Sequence, residues 1–187
     1  MAAITSAQAG NWSATATWTG GVVPTTGDTV TIAHAVTLDQ NVTIGTSPND
    51  TTTNVLTINS SITFTIGTGR ALTIRGNVSQ GSNCALVMQA GSSITFDNSA
   101  SGGSPSYGFN GVNVYYLTVN GTSGSRCSIS AISGQTFRFS VAWWNTQVTY
   151  CDITRAAASV FSLFDGVTHN WSYCTWTSCG VVEWGSA

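Results

Sequence analysis

The chain has no lysine and a single glutamate, and its charged residues amount to 6% of 187. Its net charge of −2 offers neither a basic footprint for nucleic acid nor a basic patch beside a membrane. No uninterrupted apolar stretch approaches the roughly 20 residues of a membrane-spanning helix. The first residues include an A-x-A-like tripeptide at Ala7 to Ala9 but have neither a basic nor an apolar region before it, so no secretory signal peptide is expected. There is no C-x-x-C pair, and His34 and His169 have no ligand-like spacing to the cysteines, which argues against zinc. Also missing are a nucleophile elbow, a P-loop and a dinucleotide fingerprint. No segment sustains apolar residues at helical spacing, and the nearest candidate, Arg155 to Val160, is one alanine-rich turn.

What the chain does have is a repeat. Cys127, Cys151 and Cys174 recur at a near-constant interval, and each is followed two positions later by Ile129, Ile153 or Trp176. A second series, Leu72-Thr73-Ile74, Ile94-Thr95-Phe96 and Leu117-Thr118-Val119, recurs at almost the same interval. A short apolar-Thr-apolar strand cannot bury its inner face until neighbouring turns stack on it, so this periodicity indicates a solenoid. The expected fold is all-β, a right-handed parallel β-helix of about six coils of roughly 23 residues. Residues 1–50 are read as an N-terminal cap with the first strands, and 51–187 as the coils of one continuous domain. A β-sandwich, with its own short strands at 8 to 12 residue spacing, is the alternative. Both trios are expected to stack on one face in consecutive coils. The five cysteines, an odd number, are expected as free, buried thiols, although stacking of Cys151 on Cys174 leaves a bridge geometrically open.

The opening segment carries two tryptophans, a Gly-Gly pair and a Pro-x-x-Gly-Asp turn feeding a strand. Through Trp12, Trp18, Gly20, Gly21, Pro24, Gly27, Asp28, Val30 and Ile32 it resembles the start of the G8 domain. It is similar also to related right-handed parallel β-helix proteins of bacterial surfaces, carbohydrate-active proteins and phage structural proteins. The resemblance covers about the first quarter of the chain and implies a fold more than an activity.

A glycan-degrading site on such a fold needs clustered carboxylates, and Asp152, Arg155, Asp165 and His169 are the candidates for one edge of two adjacent coils. Asp is equally an ordinary turn residue, and with one Glu and six scattered Asp few pairs suit glycoside hydrolysis, so no enzyme activity is expected. No cofactor and no metal are expected either. Aromatic residues are the stronger signal: Tyr107, Phe109, Tyr115, Tyr116, Trp143, Trp144 and Trp184 are read as a subunit interface or a stacking platform for sugar rings. Neighbouring residues on a strand face opposite ways, so one of each adjacent aromatic pair should point outward.

Taken with the resemblance, these features lead to the expectation of a non-enzymatic structural protein displayed on a particle surface. The form in view is a phage virion component, either a capsid decoration protein or a tail fibre or spike module. Open solenoid ends with little charge call for a partner, so a homotrimer bound to other virion proteins is expected, with neither nucleic acid nor membrane. The alternatives are a carbohydrate-binding or adhesin module of a bacterial surface protein, which would take a surface glycan extracellularly, and a polysaccharide lyase or hydrolase.

Overall fold

A computed structural model describes residues 2–45, 54–97, 108–157, 159–163, 169–180 and 182–186. Short segments alternate a buried apolar side chain with a half-exposed Thr or Ser, the pattern of a strand with one face in a core. Ala3–Thr5 (β1) and Gly10–Asn11 (β2) open the chain. Three coils of three strands follow. They are Thr29–Ile32 (β3), Val36–Leu38 (β4) and Val42–Ile44 (β5); Asn54–Ile58 (β6), Thr63–Ile66 (β7) and Ala71–Ile74 (β8); and Asn77–Gln80 (β9), Ala85–Met88 (β10) and Ser93–Phe96 (β11). In the next two coils one long strand spans two walls: Gly108–Asn120 (β12) before Cys127–Ala131 (β13), and Arg138–Thr149 (β14) before Cys151–Thr154 (β15). Ser159–Leu163 (β16), His169–Ser172 (β17), Thr175–Thr177 (β18) and Val182–Ser186 (β19) complete the described strands.

All pairings between these strands are parallel, and they stack as a β-solenoid of about five turns. The first wall runs β1-β3-β6-β9 into the start of β12, where Phe109 pairs with Val78. The second runs β2-β4-β7-β10 into the end of β12, where Leu117 pairs with Leu86, and on through β14 to β17. The third runs β5-β8-β11-β13-β15-β18.

Each wall carries inner columns that run the length of the rod. On the third wall the rungs are Val42, Leu72, Ile94, Ile129, Ile153 and Trp176, and beside them Ile44, Ile74, Phe96 and Ala131. The outward column between them is Thr43, Thr73, Thr95, Ser130, Thr154 and Thr177, a line of hydroxyls in which Thr95 and Ser130 approach to 3.5 Å. These registers correct one expectation. Ile94 stacks on Leu72 as read, but its next rung is Ile129, and Leu117 lies on the second wall above Leu86. The same apolar-Thr-apolar pattern serves two walls, and extra residues between β11 and β12 lengthen that coil, so one nominal coil length counted from Ile94 lands a wall short. The same lengthening explains why the chain makes about five turns rather than six. The cysteine trio does follow one column, with Cys127 paired to Cys151 and Cys174 preceding the next rung.

The first end is closed by the opening segment. Trp12 and Trp18 are fully buried, with ring centroids 4.8 Å apart edge to face, and Trp12 also meets Phe64. Their indole N–H groups donate to Pro24 O at 3.3 Å and Trp12 O at 2.7 Å, so the large rings enter the core without orphaned donors. Two short 3-10 turns, Thr15–Thr17 and Thr19–Gly21, cross this end, fastened by Ala7 N–H donating to Thr17 O. At the other end Trp171 and Trp176 are only half-buried, and among the described residues β17 and β18 have no further rung beyond them.

Ile94 is fully buried between two rungs of like size. Ile94→Ala is expected to lower unfolding stability by about 2–5 kcal/mol, because adjacent rungs cannot close over the lost volume. Denaturant titration of the purified variant checks this.

Candidate functional site

The corner between the second and third walls gathers the most chemistry. In register it is occupied by Gly69, Gly91, Arg126, Tyr150 and Tyr173 in successive coils. Gly69 and Gly91 turn there with φ of 66° and 73°, the left-handed conformation that glycine adopts freely. Tyr150 and Tyr173 occupy the same corner with φ of 46° and 55°. A side chain in that region costs about 1–2 kcal/mol per residue.

The two phenol rings stack with centroids 4.5 Å apart and planes 7° from parallel. The Arg126 guanidinium lies 5.9 Å from the Tyr150 ring centroid, on the coil before it. Arg126 also grips Asp152, Nε donating at 2.9 Å and Nη2 at 2.6 Å to Oδ1, and Nη2 donates to Tyr173 O at 3.0 Å. The Thr175 hydroxyl donates to the same carboxylate oxygen. One arginine thereby ties three coils together.

This node decides what Asp152 can do. The hydrogen bonds from Arg126 and then from Thr175 hold its carboxyl below the ordinary carboxylate range, so it stays ionised and is unsuited to act as a general acid. The other described aspartate side chains have similar duties. Asp28 accepts from the backbone N–H groups of Ala2 and Thr25, Asp39 from Ser13 N–H and its hydroxyl, and Asp97 from Arg75 Nε at 2.9 Å. Slight burial opposes ionisation of Asp28 and Asp39, but these hydrogen bonds outweigh it and lower both.

Of the four candidates for a glycan-degrading edge, the described members Asp152, Arg155 and His169 are placed as follows. Arg155 turns the corner after β15 with φ of 64°, and its Nη1 donates to Ala131 O at 3.1 Å. His169 is in register with Thr146 on the second wall, whereas Asp152 faces Thr175 on the third. Asp165 lies outside the described residues. Among the described residues no group of three or more His, Cys, Asp or Glu is placed to hold a metal.

Of the predicted aromatic surface, Tyr116 is exposed on the second wall, as alternation requires once Leu117 faces inward. Phe109 is a correction: it is buried, edge to face with Phe96 at 5.4 Å, because it is the inner rung above Val78 rather than part of an interface or stacking platform. Tyr115 pairs in register with Trp144, Val114 with Trp143, and Trp184 with Phe161. The side chains of Tyr115, Trp143, Trp144 and Trp184 and all of Tyr107 fall outside the described residues. Tyr150, Tyr173 and Arg126 escaped the sequence reading, although a signal was there: each immediately precedes a member of the cysteine series.

The five cysteines are free, as expected, but not all are buried. Cys84, Cys127 and Cys151 face the core, while Cys174 and Cys179 sit half-exposed in the last coil. Burial pushes the Cys84 thiol up to about 11 and raises Cys127, Cys151 and Cys174.

Comparison with known proteins returns no matching family model, no matching curated protein and no matching solved structure.

Two outcomes are expected here. In native protein, alkylation mapped by mass spectrometry should reach Cys174 and Cys179 first, and the other three only after unfolding. Secondly, Asp28, Asp39 and Asp152 have lowered folded-state pKa values, so their stabilisation is complete above the unfolded value of about 3.9 and is lost as pH falls through the folded ones. Melting temperature should therefore hold level down to about pH 5 and then fall. Asp152→Asn should melt lower at neutral pH and show a shallower acid decline.

Proposed function

We propose that this protein is a non-enzymatic structural component of a particle surface, working by being held in an assembly. The observation that carries this reading is the employment of the described carboxylates. Asp28, Asp39, Asp97 and Asp152 each fasten a turn or a corner, so the polar chemistry that an enzyme would spend on substrate is spent on holding coils together. The outer row of the third wall is a line of Thr and Ser on a stiff rod, suited to display. Among the described residues β17 pairs with β14 and β18 with β15, and no described strand pairs with their outer edges; an edge of this kind without Lys or Pro favours a partner. The virion setting, as a capsid decoration protein or a tail fibre or spike module, rests on the resemblance of the Trp12 to Ile32 segment. A homotrimer is the assembly proposed for it.

A second reading, a carbohydrate-binding or adhesin module, is favoured by the exposed tyrosine stack.

Light scattering on the purified protein, with imaging of particles produced with and without its gene, tests the first reading. A mass of three chains and density lost from the particle surface are expected. A monomer absent from every particle, or Asp152-dependent cleavage of a glycan, defeats it.

A further inference from the structure

The Tyr150–Tyr173 stack has one open side. Arg126 covers one face of the Tyr150 ring and Tyr173 covers the other, so the free aromatic face of the column belongs to Tyr173, which is 69% exposed. An aromatic ring so exposed, yet held parallel to a second ring on a rigid coil, is a preorganised flat surface. The backbone sets the ring in place: the corner is left-handed, with glycine at Gly69 and Gly91 and tyrosine at Tyr150 and Tyr173, as Ser61, Asn83, Arg155 and Ser178 are at other turns.

We propose that Tyr173, backed by Tyr150, is the stacking platform of a subsite for a neutral sugar ring. Charge selects the ligand class. Arg126 is already in a two-pronged contact with Asp152, so an anionic ligand finds its positive charge neutralised, and a cation finds Asp152 likewise engaged. What remains is an apolar ring face edged by the uncharged phenol hydroxyls of Tyr150 and Tyr173. A pyranose matches this surface, with a C–H face to lie on the ring and a rim of hydroxyls to meet the polar edge. The site rests on the carbohydrate-binding reading for its ligand and is independent of particle assembly.

The test uses the full chain and a panel of soluble hexasaccharides of glucose, mannose, galactose and xylose, with a galacturonate hexasaccharide as the anionic arm. Binding is followed by calorimetry and by saturation transfer from the protein to sugar C–H protons. At least one neutral member should bind, with transfer strongest on one ring face. Tyr173→Gly should weaken that binding about tenfold or more, while Tyr173→Phe should stay within about threefold. Because the corner suits glycine, Tyr173→Gly should keep or raise the melting temperature; a stack serving only stability predicts a fall. Binding by no member of the panel, equal binding by Tyr173→Gly, or tighter binding of the galacturonate oligomer overturns the proposal. Particle incorporation of Tyr173→Gly, measured separately, reports on the assembly reading alone.

Discussion

The structure depends on one constraint: a strand of three or four residues can bury its inner side chains only if the coil above and the coil below supply the same kind of residue at the same height. Ile94 is dry because Leu72 and Ile129 sit on either side of it and Phe96 lies beside it. Rungs stand about 4.8 Å apart, too close for a mismatch in size to be absorbed locally. Stability is therefore a nearest-neighbour property along the rod, and the two ends, which lack one neighbour, need separate solutions. At the first end Trp12 and Trp18 fill the opening with their N–H groups satisfied. At the other, Trp171 and Trp176 pack together at 5.4 Å while remaining half-exposed, with the Trp171 N–H donating to the buried Thr146 hydroxyl at 2.8 Å.

With the core so regular, individuality is confined to the corners and to the outward rows. Charged groups are few, and several of those described work across coils: Arg75 with Asp97, Asp39 with Ser13, and Arg126 with Asp152 and the Tyr173 carbonyl. A cross-coil bond resists shear between rungs, which hydrophobic columns alone do little to prevent. The Arg126 corner goes further, replacing the glycines of earlier coils with a guanidinium and two stacked phenols. The coils that hold it are also the ones with the cysteine column, of which Cys127 and Cys151 pack as small apolar residues in the interior.

Much of the fold was legible from spacing alone. Periodic Cys and apolar-Thr-apolar segments imply stacked parallel strands, and the paired registers of Cys127 with Cys151 and Leu72 with Ile94 follow that reading. Periodicity fails where it meets an insertion. Leu117 has the sequence pattern of a third-wall rung and stands on the second wall, and Phe109, beside a stretch rich in Gly and Ser, is read with the interface or platform aromatics yet is an inner rung. Both errors have one cause: a strand's wall is set by how many residues the preceding corner consumes, and corners vary in length without disturbing the strand pattern.

The sequence by itself determined the class of architecture, because strands this short, apolar on one face and recurring at near-constant intervals, have few ways to hide that face other than stacking on their own repeats. It also determined what chemistry was in short supply, since lysine is absent and glutamate occurs once. Only the tertiary structure decided which residues meet. Arg126, Asp152 and Tyr173 belong to different coils, well separated along the chain, and touch because coil registers place them at one corner. The same registers separate Asp152 from His169 by putting them on different walls. Contacts of this kind depend on the sum of all preceding corner lengths, a quantity that local composition does not encode.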